Sequence, residues 1–125
     1  MSLLHYRELL AWQKSMTIVE SVYALSNRFP PCERYGLTSQ VRRAAVSVPS
    51  NIAEGQGRSS TKEFLHHLSI AYGSLMEVET QVLLGLRLGY IDKEIADSFL
   101  LESARAGQVI NGLMRSLRKR LTAGR

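Results

Sequence analysis

Few residue types in this chain can do chemistry, and their spacing limits what each can do. His66 and His67 are adjacent. On a helix, neighbouring side chains point ~100° apart, so this pair does not chelate one metal as an i, i+4 pair would. Glu63 and His67 do have the i, i+4 spacing, but two ligands are too few for a tight site. Cys32 is the only cysteine, so no internal disulfide forms. It follows two prolines and stands beside Glu33, whose charge disfavours the thiolate a nucleophile needs. "GQGRSS", residues 55–60, is glycine-rich like a phosphate loop. It lacks the third glycine and preceding strand of a dinucleotide fold, and the Lys-Ser/Thr ending of a P-loop. Arg58, Ser59 and Ser60 stand where a helix begins and would suit an anion there; a helix-to-helix turn with an N-cap is the simpler reading. No catalytic residue, metal or cofactor is expected, and the chain reads as a non-enzyme.

Two further clusters carry charge or hydrogen-bonding groups. In "RRAAVSVPSNIAEGQGRSS", residues 42–60, Arg43, Asn51, Glu54 and Arg58 are candidates for a ligand site. The competing reading is structural and is preferred. Pro49 removes a backbone donor and presses on the carbonyl of Ala45, so the helix should kink. Ser47, Ser50 and Asn51 would then supply hydrogen bonds to the freed carbonyl, while Glu54 pairs with Arg43 or Arg58. The other cluster is basic. Residues 1–102 hold 10 Lys/Arg against 11 Asp/Glu, whereas residues 103–125 hold 6 Lys/Arg and no acid. The net charge of +5 therefore belongs to the C-terminal end. On a helical wheel Arg105, Arg115 and Lys119 share an arc, with Arg118 and Arg120 at its edges. These five are the candidate nucleic-acid contacts, with RNA or DNA as partner. A solvated basic helix end that complements the helix dipole is the competing explanation.

The elements that must position these groups are helices. Leu9, Trp12, Met16, Val19 and Tyr23 recur at steps of three and four, predicting a first helix over residues ~6–28. "FPPCERYG" ends it. Leu37, Val41, Ala44, Ala45, Val48 and Ile52 mark a second helix, with "GQGRSS" as the turn after it. Ser60 and Glu63 have capping-box spacing for a third. Phe64, Leu68, Ala71, Leu75, Val78 and Val82 form its seam, and Gly89 stops it. Asp92 suits the N-cap of a fourth helix, striped by Ile95, Phe99, Ala106, Ile110, Leu113 and Leu117. No segment alternates with period two. The expectation is one all-α domain over residues 1–125, an antiparallel up-down four-helix bundle with a kinked second helix.

Helix two is apolar over a wider arc than a bundle needs. Val46, Pro49 and Ala53 lie beside its main stripe and are small, which lets another backbone approach. A subunit interface is the simplest reason. Trp12, Tyr23, Phe64, Tyr72 and Phe99 fall on positions read as core-facing, so single-strand binding through aromatic platforms is not indicated. No run of ~18 apolar residues exists and no secretory signal is visible. With a lone cysteine, a cytoplasmic location without membrane attachment is expected.

"YGLTSQVRRAAVSVPSNIAEGQGRSSTKEFLHHLSIAYGSLMEVETQVLLGLRLGY", together with "LLAWQKS" and "VYALSNRFP", resembles the signature of the four-helix-bundle proteins encoded in 23S rRNA intervening sequences. The resemblance covers residues ~8–90 densely; helix four matches only in pattern. It implies a small bacterial four-helix bundle that assembles into a homopentamer. It also points to a related group, the accessory proteins of diversity-generating retroelements, where a basic surface engages nucleic acid and a reverse transcriptase. It carries no catalytic residue over to this chain. Two functions follow: a non-catalytic oligomeric protein that binds nucleic acid, or a protein-interaction scaffold whose basic end docks to an acidic protein.

Overall fold

The computed structural model describes residues 5–123 and contains four α-helices and no strand among them. Helix α1 spans Leu10–Ser26, α2 Leu37–Gln56, α3 Thr61–Arg87 and α4 Lys93–Ala123. Short 3-10 turns at Tyr6–Glu8 and Pro31–Glu33 precede α1 and α2. Helix α1 packs on α2 and α4, and α3 packs on the same two, with no close backbone approach across either diagonal among the described residues. Successive helices run antiparallel, so the chain forms an up-down bundle with a square cross-section.

The helix ends follow the sequence closely. The backbone N–H of Glu63 donates to Ser60 Oγ at 3.1 Å. The N–H of Ile95 donates to Asp92 Oδ1 at 2.9 Å. Each satisfies an amide that the first helical turn leaves without a partner. Gly89 takes φ +80°, a left-handed conformation that closes α3 and that glycine adopts without a Cβ penalty.

Three expectations are corrected. The first helix does not begin at residue 6. Its 3-10 turn ends at Leu9, which is extended, and the α-helix starts at Leu10. Its core stripe is Ala11, Ser15, Ile18, Val22 and Leu25, not the stripe of larger residues. Ser15 enters the core because its hydroxyl donates to the Ala11 carbonyl at 2.7 Å and needs no outside partner. Met16 and Tyr23 remain 40% and 44% exposed, and Trp12 and Val19 are half-buried. The third correction concerns "GQGRSS": Gly55 and Gln56 belong to α2, and only Gly57–Ser60 form the turn.

Gly55 has a packing reason. A Cβ there would lie 2.6 Å from His67 Cβ and 3.1 Å from Phe64 Cδ1, so α2 and α3 approach closely because the side chain is absent. Gly55→Ala is expected to destabilise the fold. Overpacking costs about 1–3 kcal/mol, against a gain of about 1 kcal/mol in helix propensity. The check is urea unfolding, with a lower midpoint and an unchanged slope.

The two loops at one end of the bundle are tied together. Glu33 accepts from the Leu37 amide at 3.0 Å and from the Tyr90 hydroxyl at 2.8 Å. The Leu37 amide, and then the Tyr90 hydroxyl, hold the Glu33 carboxyl below its ordinary pKa. The bond to Glu33 raises that of Tyr90. Stability from Glu33 is thus present above its unfolded pKa of about 4.3 and lost as pH falls through the lower folded value. The Tyr90 contribution is full below about pH 10 and is lost as pH rises through its raised folded value. Glu33→Gln is expected to melt lower than the unaltered protein at pH 7, with the gap narrowing at pH 3. Equal gaps at both values would contradict this account.

Candidate nucleic-acid interface

Helix α4 is the longest element, 31 residues, or roughly 46 Å at 1.5 Å per residue. Ala106, Ile110, Met114 and Leu117 bury one side of its C-terminal half against the bundle. The opposite side is basic. Arg105, Arg115, Arg118, Lys119 and Arg120 are all exposed. The ion pairs among the described residues are Glu54–Arg58 and Lys93–Asp97, so none of these five cations is neutralised by a carboxylate. Their spacing over four turns follows from the requirement that the apolar residues at steps of three and four face inward. The structure therefore presents them on one helix as the sequence indicated. Arg125 lies outside the described residues.

The other proposed cluster is not brought together. Asn51 faces α3: its Nδ2 donates to the Ser47 carbonyl at 2.9 Å and to Ser47 Oγ at 3.0 Å. Its Oδ1 lies 3.1 Å from His67 Nδ1. Ser47 Oγ also meets Ser74 Oγ at 2.9 Å. This strip joins α2 to α3 and serves the Ser47 carbonyl, not the Ala45 carbonyl freed by Pro49. Glu54 and Arg58 form an exposed i, i+4 pair at 2.8 Å, and Arg43 points into a separate cleft beside Tyr23 and Tyr35. Helix α2 continues unbroken on both sides of Pro49. Among the described residues, no group of three or more His, Cys, Asp or Glu is placed to hold a metal. His66 and His67 stand with rings 6.0 Å apart, edge to face. Cys32 is exposed.

Between α1 and α2 runs an apolar groove of about 350 Å³. Trp12, Met16 and Val19 form one wall, and Val46, Pro49 and Ala53 the other. Tyr6 closes one end, edge-on to Trp12 with ring centroids 5.4 Å apart. Pro49 is buried within the chain, Ala53 is half-buried and Val46 is 41% exposed. The larger α1 residues taken for core in the sequence are thus the facing half of the patch read on α2. Neither stripe alone shows that they meet.

The family model for the 23S rRNA-intervening sequence protein matches residues 7–112. The chain belongs to that family. The match reaches further into α4 than the quoted signature, but stops short of Arg115. A crystal structure of a protein of unknown function from the S23 ribosomal protein family of Bacteroides thetaiotaomicron shares the fold. It has a TM-score of 0.77 and 22% identity, over 84% of this chain and 98% of that one. No curated protein matches the chain. No helix among the described residues is long and apolar enough to cross a membrane.

Proposed function

We propose that this member of the 23S rRNA-intervening sequence protein family is a non-catalytic, cytoplasmic homo-oligomer that binds nucleic acid through the C-terminal half of α4. The supporting observation is the set of five exposed cations on that helix with no carboxylate partner among the described residues. Such a surface attracts phosphate by charge density and reads little sequence. The family's connection with ribosomal RNA makes RNA the first ligand to try. Oligomerisation is supported by the apolar stretch of the α1–α2 groove, which leaves Met16 and Val46 substantially exposed on its facing walls. Burying such a patch against another copy removes apolar surface from water. A pentamer, as the family resemblance implies, would present five basic helices and raise avidity without new contacts per copy. Fluorescence anisotropy with labelled RNA at two salt concentrations tests the binding. Salt-insensitive or absent binding would favour a scaffold that recruits an acidic protein or a reverse transcriptase.

A further inference from the structure

The α1–α2 groove changes character at Val46, which lines both of its halves. Beyond Val46 it becomes a cleft of about 510 Å³, within the size range of small-molecule sites, ~300–1,000 Å³. Arg34, Arg42, Arg43, Tyr23 and Tyr35 shape it, and no carboxylate among the described residues lines it. None of the three arginines belongs to an ion pair among the described residues. The nearest acid in sequence, Glu33, is engaged by the Leu37 amide and the Tyr90 hydroxyl.

Arg42 is held in place. Its Nε donates to Ser26 Oγ at 2.8 Å and its Nη2 to Asn27 Oδ1 at 3.0 Å. Its guanidinium carbon lies 4.5 Å from the Tyr23 ring centroid. Both partners and the ring are neutral, so the positive charge is positioned without being cancelled. Arg34 and Arg43 are exposed beside it, and Thr38 and Ser39 add hydroxyl donors to the same wall. Tyr35 is 87% exposed, with the Arg34 guanidinium 5.4 Å from its ring centroid. An aromatic left in water next to clustered guanidinium groups matches how single-stranded nucleic acid is held: bases stack on rings while phosphates meet arginine.

We propose that this cleft binds one phosphate-bearing nucleotide, its phosphate among Arg34, Arg42 and Arg43 and its base against Tyr35. The same chemistry arises from a nucleotide within single-stranded RNA or from a free mononucleotide. The site is separate from the basic end of α4 and does not depend on it.

The test uses the full chain and two probes: a fluorescein-labelled oligouridylate about ten nucleotides long, within the span such sites cover, and uridine monophosphate. Tyr35 and Arg43 are exposed and make no side-chain hydrogen bond among the described residues, so Tyr35→Ala with Arg43→Ala should keep its melting temperature. Arg42 is left intact because it ties α2 to the end of α1. The double variant should lose at least tenfold in affinity, both alone and in a chain whose α4 cations are already alanine. Tyr35→Phe should bind as the unaltered protein does, because stacking needs the ring and not the hydroxyl. Oligouridylate binding alone with this pattern assigns the site to an RNA chain; uridine monophosphate binding with the same pattern assigns it to a free nucleotide. Unchanged affinity of the double variant for both probes, or no binding of either by the unaltered protein, would overturn the proposal. The α4 reading fails separately, if the α4 alanine variant binds oligouridylate as tightly as the unaltered protein.

Discussion

Met16→Asp combined with Val46→Asp is expected to yield a monomer at micromolar concentration, under conditions where the proposed function has the unaltered protein sediment as an oligomer. Both residues line the α1–α2 groove and are 40% and 41% exposed, so a carboxylate at either stays hydrated in the single chain. The fold should therefore survive, with helical content and melting behaviour close to those of the parent chain. In an assembly that covers the groove, the same carboxylates would be buried without a partner. Desolvating an unpaired charge costs far more than the apolar contacts it replaces contribute. Sedimentation velocity on parent and variant is the measurement. An unaltered monomeric parent would remove the oligomer from the proposal. A variant that keeps the parent's size would place the interface on another face.

Replacing Arg115, Arg118, Lys119 and Arg120 together with alanine should weaken RNA binding at least tenfold, about 1.4 kcal/mol. All four are exposed, and alanine is the best helix former, so α4 should persist. Thr122 Oγ1 donates to the backbone carbonyl of Arg118 at 3.1 Å, a bond that the substitution leaves intact. The salt dependence is the more telling quantity. Each phosphate neutralised on a single strand contributes about −0.7 to the slope of log affinity against log salt. Loss of four contacts should flatten that slope by as much as about three. A titration at two salt concentrations reads both effects. Equal affinities, or an unchanged slope, would sink the role of α4 and leave the scaffold as the better account.

The amino-acid sequence alone settles the four helices and most of their limits. Those features depend on neighbours within one or two turns: Ser60 and Asp92 cap amides three residues ahead, and Gly89 accepts a dihedral that other residues resist. It also determined the inward faces of α2, α3 and α4, since each shows a single dominant apolar stripe ending in buried residues such as Ile52, Leu75 and Ile110. The basic face of α4 followed from the same periodicity. For α1 the periodicity of Leu9, Trp12, Met16, Val19 and Tyr23 pointed to the wrong face. Only packing against α2 and α4 chose Ala11, Ser15 and Ile18 for the core, leaving Trp12, Met16 and Tyr23 on an outer groove. Helix geometry already places Arg43 and Asn51 more than two turns apart, and tertiary packing gave each different partners. It brought Arg43 instead to Arg34 and Tyr35, across a loop whose course is set by the Glu33–Tyr90 bond between distant segments. Local pattern fixes which way a helix turns its residues; which face is covered, and which residues from other elements stand beside it, depends on contacts far apart in the chain.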